Sequence, residues 1–132
     1  MLPCNYILIG ANDPVTKALA QKDYSKNWGV DIAIDHISCL DHLPQSIDGR
    51  QYKAIIVNLA SMSNLGQLLV KQVREKSSLP VIAVGYFEHE TLVAEALKLY
   101  EYYIPIFNFR EEIVLMSRHL VINNVEPWQQ QG

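Results

Sequence analysis

Only two cysteines occur in the chain, Cys4 and Cys39, 35 positions apart and with no second cysteine beside either. That spacing suits neither a disulfide framework nor a zinc-ligand pair, so reduced structural thiols are expected and no metal through them. Charge is scarce as well, at 19% against 49% hydrophobic residues, with a net value of -3. Without a basic excess the electrostatic footprint of direct nucleic-acid binding is missing. No apolar run approaches the roughly 18 to 20 residues that span a bilayer. The start, Met1 to Gly10, has neither the basic residues nor the cleavage site of a secretory signal. The expectation is a soluble, cytoplasmic protein without a membrane segment. Catalytic spacings are lacking too: there is no GxGxxG or GxxxxGK[ST], and His36, His42, His89 and His119 are scattered without a nucleophile in triad-like order. No cofactor, no catalytic residue and no enzymatic activity are expected.

What is present is an alternation. Five short β-rich runs succeed one another: Tyr6 to Ile9, Val30 to Ile34, Ala54 to Val57, Val81 to Val84 and Tyr103 to Ile106. The first, third and fourth are continuously apolar, as strands covered on both faces are. The second alternates more, and Pro105 in the fifth cannot donate a ladder hydrogen bond, so both belong at sheet edges. Helical segments separate the runs. Asp13-Pro14 predicts a cap and first turn for a helix to about Lys26, with Val15, Ala18 and Leu19 on its apolar face. A short second helix starts at Leu40 and Leu43, and Leu65, Leu68, Leu69, Gln72 and Val73 mark a third. Thr91 to Tyr100 and Glu111 to Asn123 make the fourth and fifth. The predicted fold is α/β, a doubly wound five-stranded parallel sheet in order 2-1-3-4-5 with helices on both faces. At 132 residues one domain is expected, over residues 1–125. The polar end from Glu126 to Gly132 reads as a linker or tail towards an output domain.

In such a sheet, ligands and chemistry collect at the carboxyl ends of the central strands. Here those ends read ILIGANDP (Ile7 to Pro14), AIIVNLASM (Ala54 to Met62) and PVIAVGY (Pro80 to Tyr86), followed by LYEYYIPIF (Leu99 to Phe107). Order and spacing resemble the response-regulator receiver family of two-component signalling over Asn5 to Asn124. The resemblance implies a degenerate phosphorylation site. Ala11 and Asn12 stand where two aspartates would bind magnesium, and Asn58 where the phosphoacceptor would be. Gly85 replaces the hydroxyl residue and Ile106 the lysine. Magnesium needs carboxylate oxygens and phosphoryl transfer an anionic acceptor, so the matched positions predict a pseudo-receiver without phosphorylation.

By the same resemblance, the working surface is the fourth helix, fifth strand and fifth helix, and this region is rich in aromatic residues. A protein partner or homodimer is expected there, with Tyr100, Tyr102, Met116 and Leu120 as contact candidates. The implied function is regulation of an attached or separate output, such as a transcription regulator, through protein contacts. The alternative is a small-ligand or nucleotide sensor using the vacated pocket at the strand ends.

Overall fold

The computed structural model describes residues 2–10, 14–24, 29–37, 43, 52–58, 65–85 and 100–123. Five parallel strands, β1 (Leu2–Ile9), β2 (Val30–Ile37), β3 (Tyr52–Asn58), β4 (Val81–Gly85) and β5 (Tyr102–Pro105), form one sheet in the order β2-β1-β3-β4-β5. This is the predicted order, and β5 with its proline lies at an edge, pairing Gly85 with Pro105. The described helices are α1 (Pro14–Gln21), α2 (Leu65–Lys76) and α3 (Phe109–Val121), the last preceded by a 3-10 turn, Ile106–Asn108. α2 and α3 are the third and fifth helices of the sequence reading. Among the described residues no helix is long and apolar enough to cross a membrane. Of the expected second helix only Leu43 is described, helical and fully buried, and of the fourth only Tyr100.

The strands bury both faces because successive side chains point to opposite sides. Cys4, Tyr6 and Leu8 of β1 face one way with Ala54 and Ile56 of β3, Ile82 and Val84 of β4 and Ile104 of β5. Phe109, Ile113 and Met116 of α3 cover this side. Ile7, Ile9, Ile55, Val57, Val81, Ala83 and Tyr103 face the other way, against Val70 and Val73 of α2. Each fully buried isoleucine or valine contributes about 1.5 to 3 kcal/mol, which is why the apolar runs sit at the sheet centre. At the start of β3 the register against β1 shifts between Asn5 and Tyr6. The shift leaves Lys53 unmatched and turns Tyr52 to the α2 side. From there its hydroxyl reaches over β1 and donates to Asp35 Oδ2 of β2 at 2.7 Å.

Several helix details differ from expectation. α1 ends at Gln21 rather than Lys26. The reason is the Leu19 carbonyl, which accepts the Lys22 N–H at 3.3 Å and the Tyr24 hydroxyl at 3.2 Å, so the chain tightens and turns Tyr24 into the core. Val15 and Ala18, expected to face inward, are exposed, whereas Thr16 is buried and Leu19 packs against the core. In α2, Gln72 is exposed and Val70 takes the inward place. α3 begins at Phe109, two residues before the predicted start, and ends at Val121. Glu111 and Glu112 lie in its first turn and Arg118 and His119 in its last, each sign favourable to the helix dipole.

Candidate functional site

β1, β3 and β4 end side by side, and the carboxyl edge they form is centred on Asn58. Being even-numbered like Ala54 and Ile56, Asn58 points to the α1 side of the sheet, where it is fully buried. Its amide nitrogen donates to the Gly10 carbonyl at 3.0 Å and to Thr16 Oγ1 at 3.1 Å. A carbonyl oxygen can only accept, so the Gly10 contact requires the NH2 group of the amide there. Gly10 turns the chain out of β1 with φ of 91°, a conformation that side-chain-bearing residues adopt at a cost, and this aims its carbonyl at Asn58. Thr16, 3% exposed, holds the first turn of α1 to the same nitrogen.

The chemical capacity of this arrangement follows from charge. An amide that donates twice is neutral and neither attacks phosphorus nor binds a cation through nitrogen. A carboxylate in its place would have no proton to give the Gly10 carbonyl, and two oxygens would face each other in a buried site. Gly85, buried at the end of β4, contributes no hydroxyl. Ile106 does not stand free beside Asn58: it opens the 3-10 turn, 3% exposed, and packs into the core under α3. Ala11 and Asn12 lie outside the described residues. Among the described residues no cluster of His, Cys, Asp and Glu could hold a metal ion.

Sequence reading located Asn58 but missed its partners. Thr16 carried a signal: a β-branched hydroxyl residue between Pro14 and Leu19, three positions before Leu19, which packs against the core.

The contact candidates are divided by the structure. Tyr100 and Met116 are buried at 4% and 2%, inside the chain's own core, and burial pushes the Tyr100 phenol pKa up. They are corrected to core residues; for Met116 the reason is that the apolar stripe of α3 is wide enough for its inner half to be mistaken for surface. Tyr102 and Leu120 are partly exposed. The Tyr102 hydroxyl donates to Glu112 Oε2 at 3.2 Å, and burial together with that carboxylate pushes its pKa up.

No family model matches the sequence, and no curated protein matches it. Solved structures do. The receiver domain of the TMAO respiratory system response regulator TorR superposes with a TM-score of 0.62 at 19% identity, over 90% of this chain and 98% of that one. This chain has the receiver fold. The response regulator RPA3017 in red light signaling of R. palustris matches the same fold at 16% identity, over 92% and 96% of the two chains, with a TM-score of 0.62. A two-component response regulator from Clostridium difficile gives 17% identity, 85% and 95% coverage, and a TM-score of 0.56. Within the receiver fold, the carboxyl edge built around Asn58 is the region the sequence resemblance singled out.

Proposed function

We propose that the chain is a pseudo-receiver, a cytoplasmic signalling module of bacterial two-component type that is not phosphorylated and catalyses no reaction. It regulates an attached or separate output domain, such as a transcription regulator, through protein contacts, with a second copy of itself or another protein. The observation that supports this reading is the double donation by the buried Asn58 amide to Gly10 and Thr16. Those bonds tie the β1 turn and α1 to β3, with a neutral amide and no carboxylate at position 58 to accept a phosphoryl group.

The test uses magnesium with acetyl phosphate and, separately, beryllofluoride. Intact mass is expected to stay unchanged after the phosphodonor, and the amide NMR shifts of Gly10, Asn58 and Gly85 to stay in place with either reagent. Asn58→Asp alone is expected to remain unmodified, since Ala11 and Asn12 supply no metal-binding carboxylate. A stoichiometric phosphoryl adduct on the wild-type chain, or shifts focused on those residues, overturns the proposal.

A further inference from the structure

We infer that the outer edge of β2 is a docking site for an extended, basic segment of a partner protein, which adds to the sheet as a further strand. This gives a place to the protein contact of the proposed function and rests on that reading. The two edges of the sheet differ. β5 is four residues long and Pro105 withholds an N–H from it, so that edge is blunted. β2 is eight residues long, pairs among the described strands with β1 alone, and carries no proline, glycine or lysine. It is the edge that the fold leaves able to pair.

In a parallel ladder the N–H and C=O of one residue turn to the same neighbouring strand, and those of the next residue turn away. The Leu2 N–H donates to the Gly29 carbonyl at 3.2 Å, in a register that sets Leu2 beside Val30. The odd-numbered residues of β2 therefore bond to β1, and Val30, Ile32, Ile34 and His36 present their N–H and C=O outward. No hydrogen bond from another described residue reaches these groups. Val30 and Ile32 are buried, so the accessible part is the second half of the strand, where Ile34 is partly exposed and His36 exposed.

Charge selects the occupant. Asp31 and Asp35 stand on one face of β2, about 13 Å apart, and the strand holds no lysine or arginine. Tyr52 donates to Asp35 and holds that carboxylate in place, while Asp31 is exposed. A second copy of the chain is a poor occupant. Antiparallel pairing of two β2 strands centred on Ile34 sets Asp35 diagonally beside Asp31 and Asp35 of the other copy, and pairing centred on Asp35 sets the two carboxylates face to face. A segment with lysine or arginine at alternate positions instead meets both carboxylates while its backbone completes the ladder.

The test titrates two short capped peptides into the full chain, one alternating lysine and valine, the other glutamate and valine, and follows the amide NMR spectrum. The lysine peptide is expected to shift the Ile34 and His36 amides, to slow their hydrogen exchange, and to bind about tenfold more tightly than the glutamate peptide. His36→Pro removes one outward N–H without breaking a bond to β1, and is expected to weaken binding about tenfold, whereas His36→Ala keeps the N–H and binds as the wild type does. Asp31→Lys is expected to reverse the preference between the peptides, and decides the matter if the proline variant does not fold. Shifts centred on β5 or α3, equal binding of the two peptides, or an unchanged preference in Asp31→Lys overturns the inference. So does sedimentation showing a dimer of the chain that His36→Pro abolishes, since the occupant is then a second copy. None of these outcomes bears on phosphorylation, which the phosphodonor experiment decides separately.

Discussion

The two faces of the sheet are held by different forces. On the α1 and α3 side, polar groups are buried at the joints between helix and strand. The Asn58 amide ties α1 to β3 through Thr16, and the Tyr6 hydroxyl meets Ser117 Oγ at 2.8 Å, tying α3 to β1. The Ser117 hydroxyl donates its own hydrogen bond to the Ile113 carbonyl at 2.6 Å, which leaves Tyr6 as the donor in that pair. Thr16, Asn58 and Ser117 are the buried polar residues among those described, and all three lie on this side. On the α2 side the buried side chains are aliphatic and aromatic. Its polar fastenings lie towards the margins instead, none of them fully buried: Tyr52 donates to Asp35, and Glu101 accepts Arg74 at 2.7 Å and the Val81 N–H at 2.7 Å. Apolar packing is tolerant of small sliding, whereas a buried hydrogen bond fixes position to a few tenths of an ångström. The difference teaches that α1 and α3 are located by directional bonds, while α2 is located chiefly by apolar packing.

The comparison breaks most severely at Asn58. Asn58→Asp removes both donated bonds and sets a buried carboxylate against the Gly10 carbonyl, with an expected loss of about 3 kcal/mol at neutral pH in chemical denaturation. Burial without a donor raises the folded-state pKa of the new carboxyl above its unfolded value. The folded protein then binds more protons than the unfolded one, so the deficit should shrink as pH falls towards 4 and grow as it rises. A deficit independent of pH would show that the edge tolerates the charge.

A smaller effect is expected on the same face from Tyr6→Phe, about 1 kcal/mol for one buried hydrogen bond. The wild-type residue also predicts alkaline behaviour. Burial, the largest cause, pushes the Tyr6 pKa well above its ordinary value, and burial raises Tyr24, Tyr100 and Tyr102 in the same direction. Raised folded-state values mean that the folded chain keeps its phenolic protons longer than the unfolded one. Stability is therefore full below about pH 10 and is lost as pH rises beyond it. Tyrosinate absorbance of these residues should appear together with loss of circular dichroism, and Tyr6→Phe should flatten the alkaline decline.

The smallest effect sharpens the contrast from the other face. Arg74 and Glu101 are 41% and 27% exposed, so solvent screens the pair, and Glu101→Gln should cost no more than about 0.5 kcal/mol, less in high salt. Thermal unfolding at two salt concentrations measures it. A loss comparable to that at Asn58 would abolish the distinction between the faces.

The sheet was legible because continuous apolar runs such as Ala54 to Val57 leave few alternatives to a doubly covered strand, and Pro105 excludes an interior place for β5. Asn58 was legible as the residue closing its run. Its partners were not, because whether Thr16 or Val15 turns inward depends on how α1 is rotated, and one eight-residue helix has too short a period to fix that. The ends of α1 and α3 were displaced by contacts distant or irregular in the chain, the Tyr24 return to Leu19 and the 3-10 turn at Ile106. Met116 was misassigned for a related reason: a stripe that nearly encircles a helix does not say which half meets the sheet.

The bridge from Tyr52 to Asp35 bears on how this molecule comes apart. β2 is an outer strand, and a strand hydrogen-bonded to a single neighbour can ordinarily fray by itself. Here β2 is also anchored to the strand beyond its neighbour, so peeling it away must release a contact rooted in β3. Fraying of the margin therefore costs about 1 kcal/mol more than release of the β1 ladder alone.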